Sequence, residues 1–196
     1  MDKKILFATT NKGKLREINE ILAIPGLEIL SLSDFPAIPE IEETGSTFEA
    51  NAFLKADAVQ HLFDIPVIAD DSGLEVDILN GAPGIYSARY AGQNKGDKEN
   101  LEKLLRELLP FGFPQAARFV CAAAFVSSDT RFCETGTMEG MIISDPRGSN
   151  GFGYDPVFVP EGFELTNAEL ELNVKNSISH RRKAFEKIRN HLITIL

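Results

Sequence analysis

The chain has 196 residues, of which 43% are hydrophobic and 25% charged, so it can bury the core of one domain and has ordinary globular composition. Its net charge of -9 excludes a protein that coats nucleic acid or an anionic membrane non-specifically, while leaving room for a small anionic ligand met by a local cluster of donors. The two cysteines, Cys121 and Cys133, have no ligand spacing and form no framework, which points to a reducing cytosol. The N-terminal stretch MDKKILFATTNKGK lacks a long apolar core and a cleavage site, so no signal peptide is predicted. No apolar run approaches the length of a transmembrane helix, and the expectation is a cytoplasmic protein without a membrane partner.

Ile5 to Ala8 reads as a buried strand, and it leads into Thr9, Thr10, Asn11, Lys12, Gly13 and Lys14. Leu15, Ile18, Ile21 and Leu22 then fall at helical spacing, with Asn11 placed to cap the helix. Free N–H groups and a partial positive charge at that helix end, beside two lysines, make a natural phosphate cradle. The glycine spacing is not that of a Walker loop, and taken alone the stretch is better read as a capped helix with solvated lysines. Glu28 to Leu32 predicts a second strand, and Ser33 to Gly45 an exposed loop with two prolines and four acids, Glu40, Glu42 and Glu43 among them. Ser46 and Glu49 have capping-box spacing, predicting a second helix as far as Leu62. Lys55 lies on its apolar stripe with Ala52 and Val59, where a lysine either points into a cleft or, more commonly, snorkels to water.

Pro66 to Ala69 is a short apolar run of the kind that makes a buried strand, and the strand signal stops at Asp70-Asp71-Ser72-Gly73. In open α/β sheets a strand exit is where ligands bind, and two neighbouring acids are tolerated more readily with a compensating cation or proton. A polar turn between strands would use the same residue types. Gly81, Pro83 and Gly84 predict a tight loop, with Arg89 secondary because an arginine beside a tyrosine is as often structural. Asp97 is placed to cap a third helix carrying Leu101, Leu104, Leu105 and Leu108, which Pro110 ends. Arg118 to Val126 and Arg131 to Ile143 predict a hairpin, its first strand apolar enough to be central and covered on both faces. Pro146 to Asp155 is a loop whose three glycines let Phe152 and Tyr154 approach a flat ligand closely. Val157 to Val159 is a further short strand, and from Thr166 the chain is polar and helical. The last helix starts at Ser179-His180-Arg181-Arg182-Lys183, where clustered basic residues suggest an anionic partner or form a solvated face. His61 and His191 belong to no motif.

Six separated motifs agree with one another: TTNKGK (9–14), ETGSTFEAN (43–51), ADDSGLEV (69–76), GAPGIYSARY (81–90), GFGYDP (151–156) and KNSISHR (175–181). In content, order and spacing the chain resembles, over essentially its whole length, the non-canonical purine nucleoside triphosphate pyrophosphatases, the inosine and xanthosine triphosphatase family. The resemblance implies an α/β fold with a long twisted mixed sheet flanked by helices, two lobes of a single domain with a central active-site cleft, and a homodimer. It implies a Mg²⁺-dependent hydrolysis of ITP, dITP and XTP between the α- and β-phosphates, giving monophosphate and pyrophosphate. Small-molecule nucleotides, not nucleic acid, are the partners it implies.

By the same match, Thr9, Thr10, Asn11, Lys12, Gly13 and Lys14 cradle the phosphates, with Lys14 and Lys55 countering their charge. Glu43 and Asp71 hold the metal, and Asp71 is the candidate for activating water, although Asp70 is open as the proton acceptor. Ser72 donates to a phosphate or the sugar. Within Phe152, Gly153, Tyr154 and Asp155, Phe152 stacks on the base and Asp155 accepts from a ring N–H. Lys175, His180 and Arg181 supply donors near the 6-position, where a keto group accepts and the adenine amino group cannot. Asn51 is left between a catalytic part and a hydrogen bond to a nearby loop. The chain differs from the family pattern at Ala50, where glutamate is usual, and at Asn173-Val174, where a pair of acids is common. Other classes consistent with parts of the sequence are a pyrophosphatase for other nucleotides, a nucleotide sensor without turnover, and a nucleic-acid module, which the acidic balance opposes.

Overall fold

The computed structural model describes residues 3–36, 38 and 41–195. Glu40 of the acidic loop lies outside the described residues, as does the side chain of Lys12. Six strands, β1 (Lys3–Phe7), β2 (Leu27–Ser31), β3 (Val67–Val76), β4 (Gln115–Val126), β5 (Arg131–Ile142) and β6 (Phe158–Pro160), form one sheet in the order β2-β1-β3-β4-β5-β6. β1 pairs in parallel with β2 and β3, and β5 antiparallel with β6, so the sheet is mixed. The helices are α1 (Lys12–Ile21), α2 (Phe48–Phe63), α3 (Asp97–Leu108), α4 (Leu172–Ile178) and α5 (His180–Ile195). None of them is long and apolar enough to cross a membrane.

The chain forms two compact units. The first comprises residues 1–71, 121–136 and 181–196, and the second residues 72–120 and 137–180. In the first, Ile5, Phe7 and Ile68 pack with Ile18, Ile21 and Leu22 of α1 and Ala184, Ile188 and Leu192 of α5, joined by Cys121, Ala123 and Phe125. The Phe7 and Phe185 rings meet edge-on at 5.6 Å between centroids. The second has its own core, in which Leu101, Leu104 and Leu108 of α3 pack with Leu74, Val76, Met138, Ile142 and Phe158. The periodic leucines of α3 are therefore structural, as their spacing predicts. The hairpin turn closes through the Ser127 N–H donating to the Thr130 carbonyl at 2.9 Å.

Four local expectations change. The strand does not end at Asp70: β3 continues through Asp70-Asp71-Ser72-Gly73 to Val76, and both acids are buried. A run of polar residues normally marks a turn, but cations reaching these two from helices make a buried strand tolerable. The second helix is capped by Thr47, not Ser46: Thr47 has extended backbone angles and its Oγ1 accepts from the Ala50 N–H at 3.0 Å. Asp97 is the first residue of α3, with Gly96 as its cap and Glu99 accepting from the Gly96 N–H at 3.1 Å. Helix after Thr166 is delayed to Leu172, because Asn167 to Leu170 form turns bonded back to Thr166 and Asp155.

Replacing Thr47 with alanine is expected to cost about 1 kcal/mol of stability in chemical denaturation. Ser46→Ala should remain within about 0.5 kcal/mol of wild type, as for an ordinary surface change.

Candidate active site

In the first unit the site begins at the end of β1. The Thr9 N–H donates to the Phe7 carbonyl, and Asn11 caps α1 as expected, its Oδ1 accepting from the Gly13 and Lys14 N–H groups at 2.8 and 3.1 Å. This cap sets the first turn of α1 and brings Lys14 to Asp70, where its ammonium donates to both carboxylate oxygens at 3.0 and 2.9 Å. Arg181, at the start of α5, reaches the same carboxylate through Nε at 3.4 Å and Glu17 of α1 at 3.2 Å.

Successive residues of a strand point to opposite faces of the sheet. Asp70 therefore shares a face with Ile68, which packs against α1 and α5, and those two helices supply its lysine and arginine. Asp71 points the other way, and its partners come from α2: Asn51 Nδ2 donates to Oδ2 at 3.1 Å and Lys55 Nζ lies 3.6 Å from Oδ1. Lys55 also holds Glu43 at 2.7 Å, which gathers the two carboxylates around one ammonium. Lys55 thus turns inward to the acids; the more common outcome, snorkelling, is not what the side chain does.

The adjacent acids are electrostatically unlike. Burial pushes the Asp70 carboxyl up, but Lys14, Arg181 and Lys55 more than offset this and hold it well below the usual carboxylate range. For Asp71 burial again leads and is reinforced by Glu43 and Asp70; Lys55 and the Asn51 hydrogen bond pull the other way and do not overcome it, so its pKa is raised. Burial also works against the charge on Lys55, yet Asp71, Asp70 and Glu43 together raise its pKa. Asp70 is thus a fixed anion committed to cations, whereas Asp71 is the better proton acceptor of the pair. Ser72, next along β3, is half-buried. Among the described residues no cluster of three or more His, Cys, Asp or Glu side chains is arranged for a metal.

In the second unit the glycine-rich loop is organised by Asp155, which is buried. Its carboxylate accepts from the Phe152 N–H at 2.8 Å, Lys175 Nζ at 2.5 Å and Asn167 Nδ2 at 3.1 Å. Gly151 sits at φ +77°, and a Cβ there would collide with that carboxylate, so this position requires glycine. The Gly153 N–H donates to Asp97 at 2.8 Å, tying the loop to α3. The outcome is a Phe152 ring 61% exposed, with Lys175 Nζ 5.2 Å from its centroid. Tyr154 is different: it lies in the core, its hydroxyl donating to the Ser87 carbonyl at 2.8 Å, so it anchors the loop and presents no face to a ligand. His180 stacks on Phe119 at 5.1 Å between centroids.

The structure thus brings Lys14, Lys55, Glu43, Asp70, Asp71 and Arg181 together in the first unit, and Phe152, Asp155 and Lys175 in the second. Arg181, expected among the donors to a base, is engaged by Asp70 and Glu17; burial makes an unpaired guanidinium costly, and these are the acids within its reach. Asp155 is likewise engaged within the protein, which leaves it a latch for its loop. Sequence reasoning missed Glu17 and Asn167, and read Asp97 only as a helix cap. Glu17 is one turn from Lys14 on α1, the only hint it offered; the other two act through backbone and loop contacts that spacing does not reveal.

The profile of the Ham1 family matches residues 5–191. A protein of Oceanobacillus iheyensis named dITP/XTP pyrophosphatase is 49% identical over 198 residues, covering 98% of this chain and 100% of that protein. One of the same name from Listeria innocua is 50% identical over 196 residues, covering 98% of this chain and 96% of that protein. Among solved structures, the Staphylococcus aureus Ham1 protein superposes with a TM-score of 0.91 at 42% identity, covering 99% of this chain and 100% of that one. A HAM1 protein from Coxiella burnetii gives 0.92 at 39% identity, with 98% and 99% covered. With a family match over residues 5–191 and relatives about half identical over nearly its whole length, this chain belongs to the Ham1 family.

Proposed function

We propose that the protein is a nucleoside triphosphate pyrophosphatase that hydrolyses the deaminated purine nucleotides ITP, dITP and XTP. The observation that carries this reading is the opposite state of two adjacent buried acids: Asp70 neutralised by Lys14 and Arg181, and Asp71 less compensated, with a raised pKa, beside Glu43 and Lys55. The name dITP/XTP pyrophosphatase, carried by relatives about half identical over nearly the full chain, supports dITP and XTP among these substrates.

In this reading water adds across the α–β anhydride, its proton goes to Asp71, and the products are the nucleoside monophosphate and pyrophosphate. The capped N-terminus of α1, with Lys14, and Lys55 counter the phosphate charge, and Ser72 donates to a phosphate or the sugar. The hard carboxylate oxygens of Glu43 and Asp71, gathered at Lys55, suit Mg²⁺, which takes few protein ligands. When bound, the ion neutralises phosphate charge and lowers the pKa of water.

The exposed Phe152 ring stacks on the purine, and Lys175, steered by Asp155, donates to a 6-keto oxygen. An adenine amino group would face that donor without pairing, which disfavours ATP. The reading also includes a cytoplasmic homodimer whose partners are nucleotides and not nucleic acid.

Product analysis with ITP, dITP, XTP and ATP in Mg²⁺ is expected to give monophosphate and pyrophosphate from the first three and little from ATP, and EDTA should stop turnover. Release of single phosphate would overturn the cleavage position. Asp71→Asn should lower kcat at least about 100-fold with thermal unfolding little changed, the range for loss of a general base; near-normal turnover would remove Asp71 from that part. Phe152→Ala should raise KM for ITP about tenfold, in line with the 1–3 kcal/mol of a lost base stack, and an unchanged KM would refute the stacking assignment.

A further inference from the structure

Asn51 of α2 is fully buried, and none of the phosphate, metal or base contacts above is assigned to it. Burying an amide is unfavourable unless both of its ends are bonded, and here each end goes to a different segment of the chain. Oδ1 accepts from the Gly45 N–H at 2.8 Å, and Nδ2 donates to Asp71 Oδ2 at 3.1 Å. Gly45 follows Glu43 by two residues, so one side chain ties the Glu43 loop to the acid of β3.

The fit around this bridge is close. A Cβ on Gly45 would fall 2.7 Å from Asn51 Oδ1 and 2.8 Å from the Ala50 Cβ, so the loop can approach α2 only because position 45 carries no side chain. One turn further along the helix, Lys55 contacts the carboxylates of both Glu43 and Asp71, at 2.7 and 3.6 Å, whereas Asn51 bonds Asp71 and the backbone of Gly45. The two residues do different work. An ammonium is a compact charge with rotatable donors, and it attracts both acids without orienting either. A buried amide has one donating and one accepting end, and so sets direction as well as distance.

We propose that Asn51 is a positioning residue that sets the spacing and orientation of Glu43 and Asp71 for a divalent cation. This rests on the assignment of those two acids as the metal-holding pair. Thr47 provides the contrast, since it caps the same end of α2 through the Ala50 N–H. A purely structural part for Asn51 would make the two residues alike in their effects.

The test compares wild type, Asn51→Ala, Gly45→Ala and Thr47→Ala by Mn²⁺ binding in electron paramagnetic resonance without substrate, by ITP turnover against Mg²⁺, and by thermal unfolding. Asn51→Ala is expected to weaken Mn²⁺ binding about tenfold to 100-fold, the usual effect of losing a group that orients a metal ligand. It should lower kcat while leaving KM for ITP at saturating Mg²⁺ within about threefold, since the lost contact is to the acids and not to the nucleotide. Thr47→Ala should unfold at lower temperature with Mn²⁺ binding unchanged. An Asn51→Ala protein that binds Mn²⁺ like wild type overturns the proposal. Should that variant fail to fold, Gly45→Ala decides: it displaces Asn51 Oδ1 from the loop, a similar loss of Mn²⁺ affinity supports the proposal, and wild-type binding overturns it. Wild type that neither binds Mn²⁺ nor turns over ITP would instead sink the metal-site reading, an outcome separate from any result with the variants.

Discussion

Two consecutive carboxylates buried in the interior of a strand repel each other and lose their hydration, and each loss is worth several kcal/mol per ion. β3 carries Asp70 and Asp71 in that situation, and the helices around it are arranged to supply what the acids need. The pleat separates the problem into two, because neighbouring side chains leave a strand on opposite faces. α1 and α5 serve one face with Lys14 and Arg181, and α2 serves the other with Lys55 and Asn51. The two acids consequently acquire different chemistry although they are adjacent in the chain.

Within the first unit, β1 lies in parallel beside β2 and β3, with α1 and α2 in the connections between them. A βαβ arrangement places helix ends beside strand ends, and a helix N-terminus has unmet N–H groups there. Asn11 fills two of them and thereby directs Lys14 toward Asp70. The Arg181–Glu17 pair adds equal and opposite charge, so Lys14, Asp70, Arg181 and Glu17 form a neutral quartet whose inner members, Asp70 and Arg181, are buried. Removing one member would leave the others unbalanced in a medium that screens poorly.

The second unit uses a carboxylate for a different purpose. Asp155 collects a backbone N–H, an amide and an ammonium, and this turns a glycine-rich loop, floppy by composition, into one with a defined course. Tyr154 is drawn into the core by its apolar ring and its bond to Ser87, which leaves its near neighbour Phe152 outward. Exposure of one aromatic and burial of the other follow from the same short stretch, GFGYD.

Much of this was legible in the sequence. Strand and helix types follow from apolar periodicity, as in the Leu101, Leu104, Leu108 face of α3 and the continuous apolar run of β4, because core burial acts on side chains whose spacing is written in the chain. The Asn11 cap and the glycine loop are local too, and the motif set was enough to name the family resemblance. What spacing could not supply was partnership over distance. The continuation of β3 through Asp70, Asp71, Ser72 and Gly73 depends on cations contributed from residues 14, 55 and 181, and the inward turn of Lys55 depends on Glu43 and Asp71 being there to receive it. The order of residues along the chain specifies which side chains are available and on which local elements they ride. Which charges meet is settled by the folded arrangement, since the free energy of a buried ion is set by the groups around it and these come from distant parts of the chain.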